Sequence, residues 1–196
     1  MGLTLHHQPG QTPIEADQLS GIRIKSVSTQ GQLNEFEQAN INDALLWLRT
    51  ASVRTVLSID FVRTVHRQMF GQVWSWAGSF RQHETNIGVD WHQIPVELKV
   101  LIDDAAYWIH HETFAPDEIA IRFKHRLVAI HCFSNGNGRH SRLMADLIAV
   151  RNFGMPEFTW GRSSYANADS SRTDYLDALR LADSGDVRPL VTFARS

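Results

Sequence analysis

Apolar residues recur at helical spacing along most of this 196-residue chain. Leu33, Phe36, Asn40, Ile41, Ala44, Leu45 and Leu48 mark the first such stretch. Ser58, a good N-cap, opens a second, in which Phe61, Val62, Val65 and Met69 lead to a stop at Gly71. Pro95 sits where a third helix begins, with Leu98, Leu101, Ile102, Ala105, Trp108 and Ile109 as its stripe. Pro116 opens a fourth, with Asp117 and Glu118 at its positive end and Ile119, Phe123, Leu127 and Ile130 facing inward. A fifth runs from about Gly138 through Leu143, Met144, Leu147 and Ile148 to a break at Asn152–Gly154. Ser171-Arg172-Thr173-Asp174 has capping-box spacing and leads Tyr175, Leu176, Leu179 and Ala182 to a stop at Gly185. Pro189 starts a last short helical turn.

Two stretches lack this period. Residues 1–32 carry Pro9, Gly10, Pro13, Gly21 and Gly31, and only Ile22–Val27 alternates like an edge strand. Val73–Gln93 holds Trp74, Trp76 and Trp91 with Gly78 and Gly88, and its middle, Thr85-Asn86-Ile87-Gly88-Val89, reads as a short β-hairpin or extended flap. The expectation is a mainly α fold: a helical bundle over 33–196 with a small β-hairpin flap and a mostly irregular N-terminal arm, 1–32.

Composition changes this picture little. The formal net charge of −2 gives no bulk grip on nucleic acid, so direct nucleic-acid binding is not expected. The single cysteine, Cys132, rules out an intramolecular disulfide and fits a reducing compartment. No apolar run is long enough to cross a bilayer, and the N-terminus lacks the pattern of a signal peptide. A cytoplasmic protein without a membrane partner is the expectation.

The chemistry concentrates in His131-Cys132-Phe133-Ser134-Asn135-Gly136-Asn137-Gly138-Arg139-His140-Ser141-Arg142. Glycine and asparagine permit the left-handed backbone of a turn whose successive N–H groups gather around an anion. The helix that follows adds its free N–H groups and positive end. Arg139 and Arg142 are three residues apart, share a face of that helix, and can each offer paired donors to phosphate oxygens. A nest, a helix start and two arginines suit a di- or triphosphate. His131 can take a proton from a hydroxyl at neutral pH. Read from the residues alone, this is a transferase: a hydroxyl deprotonated by His131 attacks a phosphorus of a bound nucleotide.

The same run resembles the motif of the Fic (Fido) family, H-x-F-x-[D/E]-G-N-G-R-x-x-R, at His131, Phe133, Gly136, Asn137, Gly138, Arg139 and Arg142. Val73–Arg81 followed by Asn86-Ile87-Gly88 is similar to the stretch leading into that family's flap. Leu33–Ile41, with Asn-Gly-Asn-Gly-Arg-His at 135–140, resembles the subgroup called mobile mystery protein B, which is associated with bacterial mobile genetic elements. The resemblance implies transfer of AMP from ATP to a Ser, Thr or Tyr hydroxyl of a target protein. It casts His131 as the general base, and Gly136, Asn137, Gly138, Arg139 and Arg142 as phosphate contacts. The flap Thr85, Asn86, Ile87, Gly88 and Val89 would pair with an extended target segment. It also implies Mg²⁺ or Mn²⁺ with ATP, and allows for an antitoxin-like or regulatory partner.

The departure falls at Asn135, where the family has Asp or Glu to hold the metal; asparagine offers a neutral oxygen and no charge. That leaves open transfer of another phosphate-containing group (UMP or a phosphoryl group), removal of AMP, or a nucleotide- or partner-binding module with weakened catalysis. The intact His131 argues against the last. An inhibitory S/T-x-x-x-E-G/N helix is not strictly present. Glu37, preceded four residues back by Leu33 and followed by Gln38, is the candidate glutamate, aimed at Arg142, or else part of a solvated helix face. Tyr175 is a candidate for the adenine pocket. His110-His111-Glu112 matches no common zinc spacing.

Overall fold

Thr29 accepts a hydrogen bond from the Gln32 N–H through its hydroxyl and so caps α1, Gln30–Thr50, in the computed structural model, which describes residues 19–51, 55–161 and 168–196. Ser58 does the same for α2, Ile59–Phe70, accepting from Phe61 N–H at 3.1 Å. A short 3-10 turn, Trp91–Gln93, feeds α3, Ile94–His110. Then follow α4, Pro116–Ile130; α5, Asn137–Phe153; α6, Ala168–Asp183; and α7, Arg188–Arg195. The helical expectation holds for each of these stretches, with two starts moved: α1 begins at Gln30, three residues before Leu33, and α6 begins before Ser171. The capping-box segment at Ser171 lies inside α6.

The described residues form two compact units. The first comprises the chain up to Ile94 together with His131–His140. In it α1 packs on α2 through Leu33, Ala44 and Leu48 against Val62, Val65 and Met69, all buried. The stripe of α1 includes Asn40, as the sequence reading has it, but differs in two ways: Glu37 is also buried on it, and Phe36 and Leu45 are exposed. Asn40 is buried because its amide is spent, donating to Gln68 O at 2.8 Å and accepting from Gln72 N–H at 2.9 Å. The second unit comprises Pro95–Ile130 and Ser141–Ser196. There α7 packs against α4 and α6, burying Leu190 and Ala194, and Arg195 pairs with Asp117. Asn137–Phe153 is one continuous helix whose first turn counts with the first unit.

Among the described residues no strand forms. The expected edge strand at Ile22–Val27 reduces to a single antiparallel bridge, Ile22 to Trp74, because Val27 turns back onto Ile24 O. The expected β-hairpin at Thr85–Val89 is also absent; this segment is a run of bends with Ile87 exposed at its tip. A side chain takes the place of the ladder. Buried Arg81 donates to the carbonyls of His83 and Val89 on either side of the segment, so these acceptors are not offered to a partner strand. No helix among the described residues is long and apolar enough to cross a membrane.

Candidate active site

The turn between α4 and α5 is built around Phe133, which is fully buried. Asn137 closes it: its side-chain oxygen accepts from Phe133 N–H at 3.0 Å and its amide donates to Phe133 O at 2.7 Å. The Asn137 side chain is therefore a strut of the loop, and what it can present to an anion is its backbone, in the first turn of α5 with Gly138 and Arg139. Gly136 has φ +78°, and a Cβ there would lie 2.6 Å from Phe70 Cε2, so only glycine fits.

His66, fully buried on α2, fixes the loop from below. Gly78 N–H donates to His66 Nδ1 at 3.0 Å, so the ring proton is on Nε2, which donates to Asn135 O at 3.0 Å. The ring stacks on Phe133 with centroids 3.8 Å apart. Burial drives the His66 pKa well below its usual value, and nearby His140 adds to this against the bond to Asn135. His140 is likewise buried and donates to Val62 O at 2.9 Å; burial lowers its pKa to about 4. Both histidines are thus neutral struts.

His131 is the first residue after α4 and adopts φ +55°, the left-handed conformation that helix ends usually give to glycine. It is buried to 2% exposure. Arg81 holds it there: Nε donates to His131 O at 2.7 Å, and the Arg81 backbone N–H donates to Cys132 O at 3.0 Å. The strained conformation of a chemically capable residue, enforced by a buried cation, is a common mark of a working site. The neighbouring Cys132 is not reactive: burial pushes its thiol up to about 12, with Arg81 opposing.

Arg139 Nη1 donates to Glu37 Oε2 at 2.6 Å, and Trp74 Nε1 donates to Glu37 Oε1 at 2.6 Å. Glu37 is 5% exposed, not a solvated face, and its partner is Arg139 where the sequence reading set it against Arg142. Arg139 also lies over the Phe70 ring, 4.8 Å from its centroid.

Asn135 turns its Oδ1 back to accept from Gly136 N–H at 2.6 Å. Its oxygen is neutral and already engaged, and among the described residues no group of three or more His, Cys, Asp or Glu could hold a metal ion. These residues do not fit a metal ion held by the protein alone.

In the second unit Arg142 lies with its guanidinium carbon 4.5 Å from the centroid of the Tyr175 ring and 5.8 Å from that of Trp160. Tyr175 accepts from Lys124 Nζ at 2.7 Å and packs near Phe193. Arg81, Trp74, His66 and Lys124 were not singled out as site residues by pattern. Trp74 and Arg81 lie in the stretch read as leading into the flap, and Lys124 is a cation next to the apolar stripe of α4.

Residues 56–149 match the Fic/DOC family. A protein named protein adenylyltransferase Fic, from Aedes aegypti, is 30% identical over 141 residues, covering 70% of this chain and 27% of its own length. The chain thus spans about a quarter of that relative. Fic-1 from C. elegans shares the fold at 26% identity and a TM-score of 0.67, over 90% of this chain and 51% of that one. BepC from Bartonella tribocorum, solved with bound AMPPNP, has a TM-score of 0.66 over 86% of this chain and 87% of that one; at 16% identity the likeness is one of fold.

Proposed function

From the Fic/DOC-family domain that this chain carries, we propose that it is a protein adenylyltransferase, moving AMP from ATP to a Ser, Thr or Tyr hydroxyl of a target protein. The observation that supports this most is the short loop that carries both His131, held at φ +55° by Arg81, and the anion-receptive start of α5. His131 accepts the proton of the target hydroxyl. The freed oxygen pair bonds to the α-phosphorus while the bond from that phosphorus to the bridging oxygen breaks, and pyrophosphate leaves. Gly136, once its N–H is released from Asn135 Oδ1, joins Asn137 and Gly138 in cradling phosphate with backbone N–H groups, and Arg139 and Arg142 neutralise the outer phosphates.

In the same reading Glu37 is inhibitory: its carboxylate occupies the donors of Arg139 that a phosphate would take. Thr85–Val89 is the target-docking segment: the backbone between the two carbonyls that Arg81 holds pairs with an extended target beside exposed Ile87. A divalent ion, Mg²⁺ or Mn²⁺, arrives on the nucleotide's own phosphates. The functional domain is residues 33–196, with 1–32 as an arm. The place in the bacterial mobile mystery protein B subgroup and an antitoxin-like partner rest on the sequence resemblance, and the cytoplasmic location on the composition. Asn135 favours a second reading, in which the donor is another phosphate-containing group, because its neutral oxygen does not select a metal-loaded triphosphate.

The test is incubation of the full chain with a panel of nucleotides, Mg²⁺ or Mn²⁺ and a bacterial lysate, read as mass shifts on the protein and on lysate proteins. A 5′-AMP adduct that disappears in His131→Ala is the expected result. A His131-dependent adduct of another group selects the second reading, and no adduct with any donor overturns both.

A further inference from the structure

Lys124 is fully buried on α4, yet among the described residues it pairs with no carboxylate. Its hydrogen bond goes to the hydroxyl of Tyr175 at 2.7 Å, and its ammonium also lies 4.7 Å from the centroid of that ring; burial raises the pKa of that phenol, but Lys124 and Arg142 outweigh burial and lower it. Arg142 sits 4.5 Å from the same centroid. One phenol therefore joins two cations, and the Arg142 Nε is buried without a hydrogen-bond partner among the described residues. Two like charges sharing a half-buried tyrosine repel, and a lone buried ammonium is costly. Burial accordingly lowers the Lys124 pKa, and Arg142 lowers it further, against Tyr175. Such a cluster suits a site completed by an anion. Among the described residues the remaining neighbours do not supply one: Asp183 acts on Lys124 only at longer range, and its carboxylate is bonded to His125.

We propose that Lys124 and Tyr175 are positioning residues for Arg142, holding its guanidinium for the outer phosphates of a nucleoside triphosphate and adding a buried positive charge behind it. The inference rests on the reading of Arg142 as a phosphate contact. The Tyr175 ring is then a platform for cations rather than for a base: Lys124 and Arg142 both lie against it, and Phe193 is 5.5 Å away. Because the hydroxyl is what links Lys124 to the ring, its removal should loosen Arg142 without emptying the core.

The experiment measures affinity for ATP, ADP and AMP by calorimetry in the full chain carrying Glu37→Ala, so that the Arg139 ion pair does not mask binding. Tyr175→Phe, Lys124→Met and Arg142→Ala are compared on this background. Tyr175→Phe should weaken ATP and ADP roughly tenfold, the size of one charge-assisted hydrogen bond, and leave AMP within about twofold. Lys124→Met should do the same where it folds, and Tyr175→Phe combined with Arg142→Ala should lose no more than Arg142→Ala alone. Equal losses for all three nucleotides would mean general loosening and overturn the proposal. Loss of ATP binding in Arg142→Ala with none in Tyr175→Phe also overturns it, leaving Arg142 a phosphate contact. Unchanged ATP affinity in Arg142→Ala removes the underlying reading instead.

Discussion

Arg81 donates its Nε–H to the backbone oxygen of His131 at 2.7 Å while the rest of its guanidinium spans the carbonyls of His83 and Val89. One buried side chain therefore ties the candidate base to both sides of the exposed 84–88 segment. A lysine keeps the charge but cannot bridge three acceptors at fixed angles. Arg81→Lys should lower the rate of AMP transfer in single turnover by about tenfold or more and leave ATP affinity within about twofold. A wild-type rate in a folded Arg81→Lys protein would show that His131 needs no such tether.

Glu37→Ala frees the Arg139 donors now held at 2.6 Å. Self-modification with labelled ATP should rise at least about tenfold, as one charge-assisted competitor is removed. Stability should fall only modestly, by about 1–2 kcal/mol for the lost hydrogen bonds, because Arg139 is 41% exposed and water can serve it. Unchanged modification would make the ion pair merely structural.

Asn135→Asp restores a carboxylate to a loop that now offers one engaged amide oxygen. The variant should bind ATP more tightly with Mg²⁺ than without it, and by a wider margin than the wild type. Identical margins in calorimetry would mean that position 135 has no part in metal binding.

His140 has a pKa near 4 when folded against 6.5 for the exposed ring. Above pH 6.5 neither state is protonated and the native fold has its full stability. As pH falls below 6.5 the unfolded chain takes the proton first, so stability is lost down to about pH 4, by up to roughly 3 kcal/mol at about 1.4 kcal/mol per pH unit. His66 acts in the same direction. Urea unfolding at pH 7 and pH 4.5 measures this, and His140→Gln should flatten the difference. A wild-type protein equally stable at both would contradict it.

Gly136→Ala places a methyl 2.6 Å from the Phe70 ring at φ +78°. It should destabilise the protein by about 2 kcal/mol or more and weaken ATP binding, read by thermal melting and calorimetry. A neutral result would show that the loop can relax.

Helix positions and the loop at 131–142 were legible in the chain, because periodicity, caps and a dense motif are local properties. The depth of Glu37 was not: Phe36 and Leu45 gave α1 an apolar face that the tertiary packing leaves exposed, while Glu37 and Asn40 go inward to partners at Trp74, Arg139, Gln68 and Gln72. Nor was the missing hairpin, since extended residues pair only if their acceptors are unclaimed, and Arg81 claims those of His83 and Val89. The sequence by itself determined which groups could do the chemistry. Only the tertiary structure decided which of them are held together, because a buried polar group is stable only beside the partner that satisfies it, and that partner lies as far along the chain as Trp74 from Glu37 or Tyr175 from Lys124.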